Sequence, residues 1–372
     1  MQMDIRRLLS LLVAAFAALQ LSAQTDPPED DDDDFDFSEF EPAAPPAKSY
    51  ANNKVLGQSP TTLIGVYYDY HLPHDLTAGN LSSVPNADIA DDVRINPAQA
   101  VIATANIPLI SKTKGLLNLN VFFQRQLYNI EGSNGHPLSR SLNENGLTRS
   151  SVQLTYFKPL DDTRFFLFQG GLEMNGDYGF EFQPASTLRV PAAVLYGWKK
   201  NDRLMYAFGL SRTYLGGPLN YVPVVYYFHT FRNQKWGIEA VAPARGALRY
   251  RFNSLTLLSF GWNTLGATYR LNDFGAFASD FVNEDLENRP VGLIARDVEL
   301  RRSEVRVGFT FQRQLKGFFW LSVEAGYRVN YAFNVDRDGD FLRFWGDDTP
   351  FFFENDLRNT PYFTIGINYV SP

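Results

Sequence analysis

Residues 321 to 331, LSVEAGYRVNY, alternate strictly along the chain. The odd-numbered positions are apolar or aromatic, and the even-numbered positions are polar, charged or glycine. A period of two predicts a β-strand with one apolar and one polar face. A soluble sandwich with its apolar face inside and a membrane barrel with its apolar face outside both produce this alternation. The connections between the strands must therefore decide between the two folds.

Short segments of this kind follow one another from Thr61 onward, and no convincing helical period lies between them. Fourteen strands are predicted, over residues 61–70, 93–108, 115–129, 147–158, 163–177, 188–199, 203–214, 221–231, 235–242, 246–252, 254–270, 303–314, 318–333 and 362–370. Many of them reach the roughly 9 to 11 residues that a tilted strand needs to cross a bilayer.

Short and long connections alternate along the chain. The short ones are ISKTKG, LDD, KND, RNQ, the junction at Asn253, and LKG, whereas most of the others are much longer. Short periplasmic turns, long external loops and an even strand count are typical of outer-membrane barrels. We predict an all-β fold, a transmembrane antiparallel up-and-down β-barrel of fourteen strands over residues 59–372, with twelve strands as the alternative. Both termini are expected in the periplasm.

A membrane barrel also predicts which side chains contact lipid. In the strand over residues 321–331, the predicted lipid-facing residues are Val323, Tyr327 and Val329, and the predicted interior residues are Glu324, Arg328 and Asn330. Aromatic side chains are expected to form belts at the bilayer interfaces. The candidates for these belts are Tyr327, Tyr331, Tyr226 and Phe228. The alternative is that the aromatic residues fill a soluble core.

The N-terminal region has two parts. Residues 1–23 have a basic start, a short apolar run and a small-residue end, which predict a secretory signal peptide. Residues 24–58 are acidic and proline-rich and are expected to form a disordered periplasmic tail. Such a tail is either a solvated spacer or a docking site for a periplasmic partner. No later run is long and apolar enough for a membrane-spanning helix.

Charge and cysteine content exclude several function classes. The formal charge of -7 comes from ten acidic residues between Asp26 and Glu41, so the predicted barrel is nearly neutral. No basic face favours a nucleic-acid partner. The chain contains no cysteine, which excludes disulfides, thiol catalysis and zinc–thiolate sites, as well as the acylated cysteine of a lipoprotein.

Charged side chains occur at positions whose parity points into the predicted barrel. The candidates for lining the lumen are Arg249, Arg251, Arg306, Arg328, Glu304 and Glu324. Such charges can select solutes in a pore, or they can pair into a network that fills the barrel. We expect a porin-like channel for passive passage of small polar or amphipathic solutes. The alternative is a non-conducting surface or scaffold barrel whose long loops or acidic tail bind a partner.

One loop suggests a metal. In VDRDGDFLRFWGDD, the residues Asp336, Asp338, Asp340 and Asp347 imitate the oxygen-ligand spacing of a calcium loop. Phe341 stands at the sixth position, where the sharp turn of such a loop needs glycine. Calcium is therefore the one candidate cofactor, and a solvated acidic loop tip is the alternative.

Enzymatic motifs are missing from the sequence. It contains no G-x-S-x-G elbow, no H-E-x-x-H and no phosphate-binding loop. The histidine bases are His71, His74, His136 and His229, and they are expected to be ordinary polar residues. We expect no enzymatic activity, with a barrel hydrolase as a third class of function.

The last strand, TPYFTIGINYVSP, resembles the C-terminal signal that the bacterial outer-membrane assembly machinery reads. Thr364, Gly366 and Tyr369 match that signal, although Ser371 and Pro372 replace its final aromatic residue. Together with the LSAQ end of the leader and the stretch KWGIEAVAPARGALRYRFNSLTL, the chain resembles an uncharacterised Bacteroidota outer-membrane β-barrel family. The resemblance spans roughly Leu63 to Val370 and assigns no activity. It implies a location in the bacterial cell outer membrane, with the assembly machinery and outer-membrane lipid as partners.

Overall fold

The computed structural model describes residues 50–80, 90–133, 135–178, 188–214, 219–272, 274, 282–283, 289–290, 298–337 and 351–371. The chain divides into two units, residues 1–47 and 48–372, and all described residues belong to the second. In this part of the chain, no helix has the length and apolar character needed to cross a membrane.

Fourteen antiparallel strands form one closed ring. They are β1 (Thr62–His71), β2 (Asp91–Lys112), β3 (Gly115–Glu131), β4 (Leu147–Pro159), β5 (Arg164–Gly176), β6 (Ala192–Asn201), β7 (Leu204–Thr213), β8 (Asn220–Thr230), β9 (Trp236–Ala242), β10 (Arg245–Asn253), β11 (Thr256–Leu271), β12 (Val298–Lys316), β13 (Phe319–Arg337) and β14 (Thr360–Val370). Each strand pairs with its neighbours in sequence, and β1 pairs with β14 to close the ring. The predicted fold and strand number are confirmed.

The outer surface of the ring is apolar. Tyr327 and Val329 are 47% and 39% exposed, whereas Arg328 between them is fully buried inside. Large apolar side chains are exposed in the same way on other strands, for example Phe208, Tyr221, Phe260, Phe309 and Ile365. A closed sheet with an apolar exterior and a polar interior satisfies its backbone in lipid. The protein is therefore a barrel of the bacterial outer membrane.

The prediction that Tyr226 and Phe228 belong to an aromatic belt at the membrane interface is wrong. Tyr226 and Phe228 lie inside the barrel, where their rings stack with centroids 4.3 Å apart. The outward positions of β8 are instead the odd-numbered ones, such as Tyr221 and Val225. Both parities of this strand carry apolar residues, so the alternation could not identify the lipid side.

The strands differ greatly in length. Strands β9 and β10 have seven and nine residues, which is at or just below the roughly 9 to 11 residues of a bilayer crossing. Strand β2 has 22 residues, and β12 and β13 have 19 each. Their short connections place one end of each of these strands in the periplasm. The surplus, roughly eight to thirteen residues per strand, therefore projects from the outer face of the membrane.

The projecting strand ends close into a narrower structure, which we call the external extension. Gly176 at the end of β5 pairs directly with Arg270 at the end of β11, although the two strands are far apart in the ring. Opposite this bridge, the short strand His74–Ala78 pairs with the first residues of β2 and with Asp356–Leu357. The ring therefore narrows above the short strands β6 to β10. The other short strands are Leu188–Arg189, which pairs with β5, and a separate pair, Val282–Asn283 with Arg289–Pro290.

The loop after β3 contains a helix, α1 (Pro137–Glu144), which the sequence analysis did not predict. Pro137 occupies the first turn, where its missing N–H costs nothing. His136 caps the helix by accepting a hydrogen bond from Leu138 N. Leu138 and Leu142 lie one turn apart and are both fully buried in the external extension. Burial of this short apolar stripe accounts for the helix in a loop of otherwise polar composition.

Candidate functional site

The external extension has an apolar interior that we call the upper cluster. Its members come from the projecting strand ends, from α1 and from the loops; they include Leu76, Ile95, Leu138, Leu142, Leu271, Phe274, Leu300, Phe333, Val335 and Phe353, all at most 2% exposed. Among the described residues, this packing closes the barrel axis at the outer end. A solute cannot cross a close-packed apolar core of this kind.

Two irregularities place these residues inside. The register of β12 with β13 shifts between Ser303 and Glu304, leaving Tyr331 as an extra residue. On the periplasmic side of the shift, the even-numbered residues of β13 face inward. On the outer side, the odd-numbered residues Phe333 and Val335 are the buried ones. A similar shift in β2 lies between Ile95 and Ala98. Each bulge exchanges the two faces of its strand.

A charged cluster lies below the upper cluster and is almost completely buried. Glu304 accepts hydrogen bonds from Arg302 Nη2 at 2.7 Å and from Arg306 Nε at 2.8 Å. The Nη1 atom of Arg306 lies 3.0 Å from Asp69 Oδ2. Arg302, Glu304 and Arg306 are adjacent inward positions of β12, so one strand supplies three of the charged side chains.

Two histidines complete the charged cluster. His71 Nε2 lies 2.8 Å from Asp69 Oδ2, so this nitrogen donates to the carboxylate. The other ring nitrogen of His71 accepts from Arg328 Nη1 at 2.8 Å. Arg328 Nη2 donates to His74 Nε2 at 2.9 Å. With neutral histidines, three guanidinium groups face two carboxylates in this cluster. The charges are hydrogen-bonded to one another, which is what burial demands.

A cavity of about 630 Å³ occupies the barrel below the charged cluster. Amide and hydroxyl groups line opposite walls: Asn106 pairs with Asn120 across β2 and β3, and Ser259 pairs with Thr310 across β11 and β12. The cavity therefore extends across the lumen, and its lining offers both donors and acceptors.

A row of glycines widens this cavity. Gly308 pairs directly with Gly261 on one side and with Gly326 on the other. All three lie on the inward parity of β11, β12 and β13, at the level just below Arg306. An ideal Cβ at Gly308 would lie 2.6 Å from Ala325 O. The close approach of the strands thus requires glycine, and the absence of side chains leaves space in the lumen.

The charged residues of the cavity wall are mostly paired with other protein groups. Glu324 accepts a hydrogen bond from Tyr362 Oη, and Glu239 accepts one from Arg249 Nε at 2.9 Å. Arg306 belongs to the charged cluster. The amides and hydroxyls are consequently the groups best placed to meet a solute.

The cavity reaches the outside beside the external extension. Strand β10 begins at Arg245, opposite Asn263, whereas β11 continues to Leu271. Asn263 has the inward parity of β11, yet it is exposed, as is Arg245. Both residues line the cavity. The opening therefore lies at the tip of the short β9–β10 hairpin, near the outer surface of the membrane.

Residues 50–61, which we call the N-terminal segment, run along the inside of the periplasmic rim. Ala51 N donates to Asp161 O at 2.8 Å, and Leu56 N donates to Asp202 O at 2.7 Å. Lys199, an inward residue of β6, donates to Lys54 O at 2.9 Å and also bonds Asn52. The segment thus contacts turns that are distant from one another along the chain. Residues 50–58 fall within the expected disordered tail, but in the structure they pack against the barrel.

The N-terminal segment is anchored by apolar contacts as well. Val55 is 4% exposed and packs in a cluster with Phe157, Phe165, Leu195, Met205, Ala207 and Phe228. Arg251 Nη2 donates to Gly57 O at 3.0 Å and to Gln58 O at 3.1 Å. Gln58, Ser59 and Thr61 then form the periplasmic floor of the cavity. The segment therefore covers part of the cavity on its periplasmic side.

The six residues predicted to line the lumen lie in three different parts of the barrel interior. Glu304, Arg306 and Arg328 form the charged cluster, and Arg306 also touches the cavity. Glu324 lines the cavity wall. Arg249 and Arg251 hold Glu239 and the N-terminal segment. All six point inward, but they do not form one ring.

Sequence reasoning missed Asp69, His71 and Arg302 as members of the charged cluster. Asp69 and His71 have the same parity in β1, and Arg302 has the parity of Glu304. The parity of these residues therefore indicated that their side chains point into the barrel. The sequence did not indicate that residues of β1 and β12 contact each other there.

The calcium candidate is only partly within the described residues. Asp338, Asp340 and Asp347 lie outside them. Asp336 Oδ2 lies 2.9 Å from Arg301 Nη1, so this carboxylate already has a positive partner. Among the residues that the structure describes, no group of three or more acidic or histidine side chains could hold a metal ion.

Comparisons with known proteins give a limited result. No family model and no curated protein matches the sequence. Among solved structures, an outer membrane channel from Pseudomonas putida F1 is similar over 84% of this chain and 97% of its own, with 11% identity and a TM-score of 0.38. The toluene transporter TodX of P. putida covers 85% of this chain and 92% of its own, with 7% identity and a TM-score of 0.32. The translocator domain of the autotransporter NalP from Neisseria meningitidis covers 84% and 90%, with 10% identity and a TM-score of 0.26. Likeness at this level carries no argument about function.

Proposed function

We propose that this barrel is an outer-membrane channel for passive passage of small polar or amphipathic solutes. The observation that carries the proposal is the cavity of about 630 Å³, which has a polar lining and an opening at Asn263. Its volume is within the range of small-molecule sites. The route enters beside the external extension and leaves past the N-terminal segment, since the upper cluster blocks the barrel axis.

The lining also indicates the kind of solute. Its carboxylates are paired with Tyr362 and Arg249, and Arg306 is paired within the charged cluster. The groups left to meet a solute are amides and hydroxyls such as Asn106, which suit uncharged or zwitterionic molecules. Arg245 at the opening adds a weak preference for anions. Strong charge selectivity is not expected.

The test is a permeability measurement with a block at the opening. Liposomes containing the folded protein are exposed to arabinose, and swelling is followed for the wild type and for Asn263→Trp. The matched control is Phe260→Trp, which changes a lipid-facing residue of the same strand. We expect Asn263→Trp to slow swelling strongly and Phe260→Trp to leave it unchanged. Equal rates in all three would contradict the proposed route.

A specific observation favours the non-conducting alternative. The upper cluster and the charged cluster together fill the outer part of the barrel. A filled interior suits a rigid, non-conducting barrel whose loops bind a partner. In that case, liposomes with the folded wild type exclude arabinose, and removal of residues 51–58 does not admit it. Permeability that appears only after this removal would instead identify a closed channel.

A further inference from the structure

The outer wall of the barrel has a groove at the periplasmic rim, on the opposite side of the sheet from the interior cavity. It lies between the β6–β7 turn and the β8–β9 turn and has a volume of about 910 Å³. Its walls include Arg203, Arg232, Phe231, Trp236, Leu204 and Leu248. None of these residues takes part in the proposed solute route.

The groove changes character from the rim toward the membrane centre. Arg203 and Arg232 lie in the two turns, at the periplasmic boundary of the bilayer. Trp236 lies at the start of β9, and Leu248 lies further up, opposite Ile238. Phe231, Trp236 and Leu248 are 36%, 40% and 41% exposed. Cationic groups therefore stand at the water interface, and apolar groups continue toward the hydrocarbon.

The two arginines are available to a ligand. Neither guanidinium group forms a hydrogen bond or an ion pair with any residue in the described ranges of the chain. The acidic residue of the same turn, Asp202, lies 3.6 Å from Lys199 Nζ, which is inside the barrel. Two cations that line one groove thus have no acidic partner among the residues that the structure describes. Guanidinium groups bind phosphate oxygens in a paired geometry.

We propose that this groove binds one anionic phospholipid of the periplasmic leaflet. Arg203 and Arg232 contact the phosphate, and the acyl chains lie along Phe231, Trp236 and Leu248. The order of charged and apolar groups matches the orientation of a lipid in that leaflet, and the tryptophan lies at the interface depth where this residue is common. A lipid of the outer leaflet would present its head group at the wrong end.

The site is tested by lipid retention. The wild-type barrel and the Arg203→Gln/Arg232→Gln variant are purified in detergent and incubated with equal amounts of phosphatidylglycerol and phosphatidylcholine. Native mass spectrometry then measures how much of each lipid remains bound to each protein. Two interfacial cations predict that the variant binds phosphatidylglycerol roughly 30-fold more weakly. The matched control is Lys112→Gln/Lys114→Gln, which removes two cations from the β2–β3 turn at the same rim and should retain phosphatidylglycerol as the wild type does.

Three results would overturn the site. The first is equal retention of phosphatidylglycerol by the wild type and the arginine variant. The second is equal retention of phosphatidylcholine and phosphatidylglycerol by the wild type. The third is displacement of bound phosphatidylglycerol by glycerol phosphate at equal concentration, because the acyl contacts with Trp236 would then contribute nothing. A Trp236→Ala variant that loses phosphatidylglycerol while keeping its arginines supports the groove directly.

Discussion

Ser59 donates its backbone N–H to Glu239 Oε1 at 2.8 Å, and the same oxygen accepts a hydrogen bond from Arg249 Nε. A residue of the N-terminal segment is thereby fixed to an ion pair on the inner wall of the barrel. The floor of the cavity is consequently a part of the chain that can leave without breaking the ring of strands.

Removing residues 51–58 should increase permeability. The deletion removes Val55 from its apolar cluster and the backbone acceptors of Lys199 and Arg251, while the fourteen strands remain paired. We expect larger single-channel steps in planar bilayers than for the wild type. Deletion of residues 36–43, an equally long stretch upstream, is the control and should leave the steps unchanged. Identical steps in both deletions would mean that the segment does not limit passage.

Replacing Arg251 with alanine should loosen the segment without removing it. Its guanidinium holds Gly57 O and Gln58 O, and a hydrogen bond to a charged group contributes about 1.5 kcal/mol. The loss of one such bond raises the population of the released segment by about tenfold, and alanine removes both bonds, so an increase of at least about tenfold is expected. The measurement is the fraction of time in the open state, with Arg251→Lys as the conservative control. An open fraction that falls in Arg251→Ala would be the opposite of this expectation.

Replacing Arg328 with alanine should destabilise the barrel. Both histidine acceptors of the charged cluster lose their donor, and Glu304 loses one of three positive neighbours. A buried acceptor that is left without its donor costs about 1 to 3 kcal/mol. Urea unfolding in liposomes measures the loss. Arg313→Ala, at an exposed site of β12 near the periplasmic rim, should change the unfolding free energy by much less. Similar effects of the two variants would show that the cluster contributes little.

The cap of α1 should weaken in mild acid. Burial lowers the pKa of His136 to about 4, from about 6.5 in the unfolded chain. Between these values the unfolded loop takes up a proton that the folded loop does not, so stability falls as pH falls from 6.5 to 4. Protonation also removes the acceptor at Nδ1 that Leu138 N uses. Hydrogen exchange of residues 137–144, corrected for intrinsic rates, should therefore speed up at pH 5 relative to pH 7.5.

The variant His136→Asn provides the control for that experiment. Asparagine caps helices but does not titrate in this range. Its corrected exchange rates should be the same at both pH values. If the wild type and the variant respond to pH equally, another group is responsible for the change.

The sequence was sufficient for the ring of strands and for the inner and outer faces of several of them. Alternation defines a strand and its two faces, and short and long connections sort the strand ends to two sides. Arg328 and Tyr327 were therefore assigned to the correct faces. Tyr226 was not, because β8 is apolar on both parities and alternation then carries no information.

The interior could not be obtained in the same way. Bulges at Tyr331 and after Ile95 exchange the faces of two strands, and nothing in the local sequence requires them. The partners in the charged cluster belong to strands that are distant in sequence, such as Asp69 and Arg306, so parity gave their direction but not their distance. The ordered part of the N-terminal segment depends on contacts with turns that only the closed barrel brings together.

The layout of the N-terminal segment determines how it responds to a mechanical load. A pull applied at Tyr50, away from the membrane, acts first on the bond of Ala51 to Asp161, then on the contacts of Lys54 and Leu56, and last on Ser59. The force acts on these hydrogen bonds one after another, and not on all of them at the same time. A segment with many contacts can thus be withdrawn by a force that needs to break only a few of them at any moment.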